Sequence, residues 1–96
     1  TNIYPQEIDD VLLAHQSVAE VCCIGVPNEE WGEEVKAVIN LESGADEDAV
    51  RKELVQLAEE KLSGFKKPKT YEFWTEELPR LPTGKIQRNL VKKRFW

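Results

Sequence analysis

Chemistry in this 96-residue chain narrows quickly to one lysine. Lys85 stands directly after Gly84 in the stretch LPRLPTGKIQRNLV (78–91), within a loop that holds Pro79 and Pro82 and leads into an apolar helical pattern. A lysine so placed is either a solvated surface charge or a compact positive charge delivered to a phosphate or carboxylate. A nucleotide-cradling P-loop is excluded, because that pattern needs a glycine five positions before Gly84 and a Ser or Thr after the lysine. Those positions hold Pro79 and Ile86. Other catalytic constellations fail as well: His15 is the single histidine, no G-x-S-x-G occurs, and no cluster has metal-ligand spacing. His15 is read as structural.

The two cysteines, Cys22 and Cys23, are adjacent. In a strand they point to opposite faces, so a bond between them is strained, and with no partner His or Cys they form no zinc site. They read as two small buried apolar residues in a reducing compartment, and the expected location is cytoplasmic. No apolar run is long enough for a membrane helix, and no signal peptide opens the chain. The absence of any methionine suits a fragment of something larger.

The net charge of -5 hides a lopsided distribution. Residues 1–60 carry 15 acidic and 3 basic side chains, whereas residues 61–96 carry 10 basic and 3 acidic ones. A basic C-terminal third points to an anionic partner at that end or to a solvated basic helix face. Nucleic-acid binding would need the aromatics among those charges. Tyr71, Phe73 and Trp74 fall in a strand pattern, where core packing is the expected role, so no nucleic-acid partner is expected.

The elements that must position Lys85 follow from periodicity. In NIYPQEIDDVLLAHQ, Pro5 suits a first helical position, Ile8, Val11 and Leu12 share one face, and Glu7, Asp9 and Asp10 suit the helix's positive end. VAEVCCIGVP reads as a mostly buried strand, and EEVKAVINLE as a second with Val35, Ala37, Ile39 and Leu41 on one face. NEEWGE turns between them, giving an antiparallel hairpin. ADEDAVRKELVQLAEEKLSG reads as a helix striped by Val50, Leu54, Leu57 and Leu62, with Asp46 as cap and Gly64 as terminator. FKKPK is a basic link, TYEFW a short strand, and KIQRNLVKKRFW a basic helix with Ile86 and Leu90 facing inward. The expected fold is one α+β domain: a small antiparallel sheet, hairpin plus third strand, packed with three helices on one or both faces.

NIYPQEID, GVPNEEWGEEVKAVINLESG and GFKKPKTYEFWTEELPRLPTGKIQRNLV, taken together, resemble the C-terminal domain of the adenylate-forming enzymes, most closely an acyl- or aryl-CoA synthetase. The similarity runs from Asn2 to about Arg94 and implies a mobile lid, residues 1–96, on a large N-terminal domain. That domain binds ATP, with Mg2+, and a carboxylic acid, and forms an acyl-adenylate. A thiol, CoA in the ligases, then displaces AMP to give a thioester. The resemblance places the family's catalytic lysine on Lys85 and its CoA-contacting positions on Trp31, Phe65, Lys67 and Lys69. It assigns no metal ligand to this chain. Arg88 either supports the Lys85 loop or faces solvent. The family's hinge lies upstream of Thr1, so the isolated domain is expected to be inactive. Two alternatives stand beside the CoA-ligase reading: an adenylation domain that loads a carrier protein, and a free-standing basic interaction module. The acid activated is set elsewhere in such enzymes.

Overall fold

Two long antiparallel strands form the centre of the computed structural model, which describes residues 4–30 and 32–96. The chain runs α1 (Pro5–Leu13), β1 (Val18–Asn28), β2 (Gly32–Leu41), α2 (Glu47–Lys61), a 3-10 turn (Gly64–Lys66), β3 (Thr70–Phe73) and α3 (Arg88–Lys93). The sheet order is β1-β2-β3, leaving one side of β1 as a free edge. The hairpin expected from the sequence is present, with Cys23 opposite Ala37 and Asn28 opposite Gly32.

The third strand departs from expectation: β3 runs parallel to β2, pairing Lys36 with Thr70 and Ile39 with Phe73, so the sheet is mixed. The cause is the crossover. A helix inserted between two neighbouring strands returns the chain to the end where the first strand began, and the second must then run in the same direction.

Period-2 alternation divides β1 between two cores. Val21 and Cys23 join Val35, Ala37 and Ile39 beneath α1 and α2, with Ile8, Leu12, Val50, Leu54, Ala58 and Leu62 supplied by the helices. Cys22, Ile24 and Val26 face the other side, where Val38, Leu78 and Val91 complete a smaller core edged by Trp74, Ile86 and Phe95. Helical segments therefore cover both faces. The cysteines point to opposite faces as expected, and both are free and buried. Burial raises the Cys22 thiol to about 11 and pushes Cys23 well above its usual value, so both remain protonated at neutral pH.

Helix ends show where local signals hold and where packing overrides them. The Asp46 carboxylate caps α2 by accepting the Asp48 and Ala49 N–H groups at 3.1 and 3.5 Å. Gly64 does not terminate that helix. The chain leaves helical geometry at Leu62, which is extended and buried, and Gly64 instead takes a positive φ of 52° in the following 3-10 turn. In α3, Val91 is fully buried while Leu90 is 37% exposed, so the expected inward position is shifted by one residue. The helix starts only at Arg88, after the hairpin that holds Lys85, and this late start resets its phase. Among the described residues, no helix is long and apolar enough to cross a membrane.

Candidate functional site

Lys85 sits on a miniature hairpin. The Gly84 N–H donates to the Leu81 carbonyl at 2.8 Å, and the Leu81 N–H to the Lys85 carbonyl at 2.8 Å. This is the pattern of a three-residue loop, Pro82-Thr83-Gly84, with proline where a turn wants a fixed φ and glycine where it needs a left-handed residue. Gly84 has φ 94°, a conformation that any side chain would strain. Below the loop, Arg80 bridges to Ile86, and the Gln87 N–H donates to the Pro79 carbonyl at 2.8 Å. The Lys85 backbone is thereby fixed on both sides. Its side chain is exposed and has no hydrogen-bond or ion-pair partner among the described residues.

The hairpin is tied to the sheet at both ends. At its start, Glu20 of β1 accepts from the Leu78 N–H at 3.1 Å and pairs with Arg80 at 2.6 Å. At its end, Arg88 pairs with Asp9 of α1 at 2.8 Å and donates to the Cys23 carbonyl at 2.7 Å. The other Asp9 oxygen accepts the Cys23 N–H at 2.7 Å. The Asp9–Arg88 pair thus satisfies both backbone groups of Cys23 on the free edge of β1, where an unpaired edge invites association. Burial pulls the Arg88 pKa down, but the Asp9 hydrogen bond and charge more than offset it and the net shift is upward. Arg88 is neither a solvent-facing residue nor a free cation. A cleft of about 290 Å³ opens between this hairpin and α1, lined by Gln6, Leu13, Glu20, Lys85 and Arg88 among others.

The positions matched to CoA contact lie elsewhere. Phe65 is 49% exposed on the 3-10 turn. Lys67 is drawn back to α2 by an ion pair with Glu59 at 2.9 Å. The Lys69 N–H anchors to the Val35 carbonyl at 2.8 Å, ahead of β3. Its residue lines an open cleft of about 500 Å³ together with Pro27, Asn28, Glu29, Glu30 and Glu34 of the β1–β2 hairpin. Trp31, on that same hairpin loop in sequence, lies outside the described residues. Lys69 and the described residues of the hairpin loop line one cleft, and Lys85 lines another that shares no residue with it.

The lopsided charge resolves within the chain. Lys66 pairs with Glu7, Lys67 with Glu59, Arg80 with Glu20, Arg88 with Asp9 and Lys92 with Glu33. Half of the basic third is thus neutralised by the acidic two-thirds. Of its cations, Lys61, Lys85 and Lys93 have no ion pair among the described residues, and of these three only Lys85 sits on the pinned hairpin and lines the cleft beside α1. Sequence reasoning missed Glu20, Arg80 and the Asp9–Arg88 pair. The available signals were a lone carboxylate inside the otherwise apolar strand VAEVCCIGVP and an aspartate beside the buried stripe of α1.

Residues 7–85 match the model of the family described as the AMP-binding enzyme C-terminal domain. The chain belongs to that family. It is 40% identical over 95 residues to a fatty acid–[acyl-carrier-protein] ligase of Streptomyces coeruleorubidus, covering 99% of this chain and 18% of that protein. It is 42% identical over 87 residues to a long-chain-fatty-acid–CoA ligase of Bacillus subtilis (strain 168), covering 91% of this chain and 15% of that one. A solved fatty acyl CoA synthetase of Mycobacterium tuberculosis superposes with a TM-score of 0.84 at 35% identity, over 99% of this chain and 18% of its own. The chain spans less than one-fifth of the length of these relatives. The family membership and the α+β fold read from the sequence hold.

Proposed function

We propose that residues 1–96 form the mobile C-terminal domain of an ATP-dependent acid–CoA ligase, with Lys85 as its adenylation lysine. One observation carries this reading: on a backbone pinned from both sides, the Lys85 ammonium is exposed and unpaired among the described residues, while the two arginines that flank it on the hairpin, Arg80 and Arg88, are paired with carboxylates. A positioned charge with no internal partner is suited to act on a group from another domain.

In the first step a carboxylate oxygen of the acid attacks the α-phosphorus of ATP, supplied with Mg2+. The bond to pyrophosphate breaks, and an acyl-adenylate forms. Two anions approach and charge builds on the phosphoryl oxygens, where a preorganised ammonium stabilises the transition state more than the ground state. In the second step the CoA sulfur attacks the acyl carbon, the thiol proton is lost, and AMP leaves with the electron pair of the C–O bond. Lys69, with Phe65, Lys67 and Trp31, forms the acceptor side: lysines for the nucleotide phosphates, aromatics for adenine or the pantetheine arm. The partner in both steps is the enzyme's own large N-terminal domain, which holds the acid. The free thiols of Cys22 and Cys23 suit a reducing cytoplasm.

A second acceptor is favoured by a specific finding, the likeness to a fatty acid–[acyl-carrier-protein] ligase. In that version the thiol belongs to a phosphopantetheinyl carrier and the first step is unchanged. Supplying the full-length enzyme with free CoA or with a phosphopantetheinylated carrier whose thiol is free separates the two.

Lys85→Ala in the full-length enzyme tests the catalytic assignment. Acid-dependent pyrophosphate release is expected to fall by about 10²–10³-fold, the range for removing one preorganised charge or donor at a developing anion. Unchanged release makes Lys85 a surface charge and defeats the reading.

A further inference from the structure

The Glu20–Arg80 pair has a geometry that a simple surface ion pair does not need. Glu20 interrupts an apolar strand, and the ladder slips beside it, between Val18 and Glu20. Such bulges re-aim side chains. Val18 packs into the core under α1 and α2, whereas Glu20, two residues later, shares the parity of Cys22 and Ile24 on the opposite face. Its side chain is only 11% exposed and uses both oxygens on the Lys85 hairpin. One accepts the Leu78 N–H at 3.1 Å; the other accepts from Arg80 Nε at 2.8 Å. The same guanidinium then reaches forward, and its Nη1 donates to the Gly84 carbonyl. That carbonyl belongs to the peptide joining Gly84 to Lys85. Asn40 of β2 steadies the approach to the hairpin by donating to the Trp74 and Glu76 carbonyls at 3.0 and 2.8 Å.

We propose that Glu20 and Arg80 are positioning residues for Lys85: a carboxylate fixed by a strand bulge orients a guanidinium that fixes the Gly84–Lys85 peptide, and so aims the lysine at the reacting phosphate. The inference rests on the reading of Lys85 as the adenylation lysine. A guanidinium suits the task because its planar fork serves the carboxylate and the carbonyl together, which an ammonium in its place does not do with the same geometry. Misplacement of a reacting group by about 1 Å can cost on the order of 100-fold in rate, so a clamp one peptide away from the lysine has leverage without touching substrate.

The test is a double-mutant cycle in the full-length enzyme, with wild type, Arg80→Ala, Lys85→Ala and the double variant. Pyrophosphate release reports adenylation, and thioester formation from supplied acyl-adenylate and CoA serves as the control for folding. Arg80 is well exposed, and the thioester rate of Arg80→Ala is expected to match wild type. Its adenylation rate is expected to fall by roughly 10–100-fold in the wild-type background and by less than about 2-fold when Lys85 is already absent, since a residue acting through another has nothing left to act on. Glu20→Gln, which keeps the shape and removes the charge, is expected to show the same non-additivity with a smaller loss. An equal loss in both backgrounds, or none in the wild type, overturns the clamp while a collapsed Lys85→Ala leaves the catalytic assignment standing. An unimpaired Lys85→Ala overturns both.

Discussion

The Lys85 hairpin and the bend that carries Phe65, Lys67 and Lys69 are both basic, proline-bearing connections, yet they treat their lysines in opposite ways. At the hairpin the protein spends its polar groups on the backbone: Glu20, Arg80, Asp9 and Arg88 hold the chain, and the lysine is left alone. At the bend two of the lysine side chains are themselves engaged, Lys66 on Glu7 and Lys67 on Glu59, and Lys69 lines a cleft with the hairpin residues Glu29, Glu30 and Glu34. A fixed backbone with an unpaired ammonium is suited to a short-lived charge in one orientation. Lysines held by exposed carboxylates can exchange those partners for phosphates at small cost, because exposed pairs contribute only about 0–1 kcal/mol. The contrast matches a division between bond-making chemistry and cofactor docking.

Four substitutions break or sharpen that contrast, beginning with the largest effect. Lys85→Ala is expected to lower adenylation by about 10²–10³-fold with no loss of stability, as measured by pyrophosphate release and thermal unfolding. Asp9→Ala acts on the anchor instead of the charge. It leaves Arg88 without its carboxylate and the Cys23 N–H without an acceptor, and is expected to destabilise the chain by about 3 kcal/mol in urea unfolding. A change within about 0.5 kcal/mol means the pair is solvated and the hairpin is not held from that end.

Lys69→Ala is expected to raise the KM for CoA by roughly 10-fold, the value of one charge-assisted contact, while leaving pyrophosphate release intact. Equal losses in both half-reactions make its role structural. Lys67→Ala is expected to cost under about 1 kcal/mol in urea unfolding, because Glu59 is 58% exposed. Its KM for CoA decides whether Lys67 leaves Glu59 for the cofactor.

What the sequence made legible was local. Alternation along β2 identified Val35, Ala37 and Ile39 as one face, and Asp46 announced the start of α2, because both signals act within a few residues. The family motif marked Lys85 and its neighbours. The direction of β3 escaped because the strand is four residues long, and its pairing is imposed by the α2 crossover, not by its own pattern. The phase of α3 escaped because the preceding hairpin decides where the helix begins. Asp9 looked like a helix-dipole acid, and nothing local signals a partner 79 positions away. Sequence separation also hid Glu20, whose role depends on a bulge and on a loop 58 positions later. The side chains that hold the candidate site were therefore harder to see than the lysine they hold.

The most direct measurement is a crossed one, in which Lys85→Ala and Lys69→Ala forms of the full-length enzyme are each assayed in the two half-reactions. Opposite failures are predicted: Lys85→Ala loses adenylation but converts supplied acyl-adenylate and CoA to thioester, and Lys69→Ala adenylates normally but needs more CoA. If both variants lose the same half-reaction, or neither loses either, the two regions do not divide the chemistry and the account is wrong.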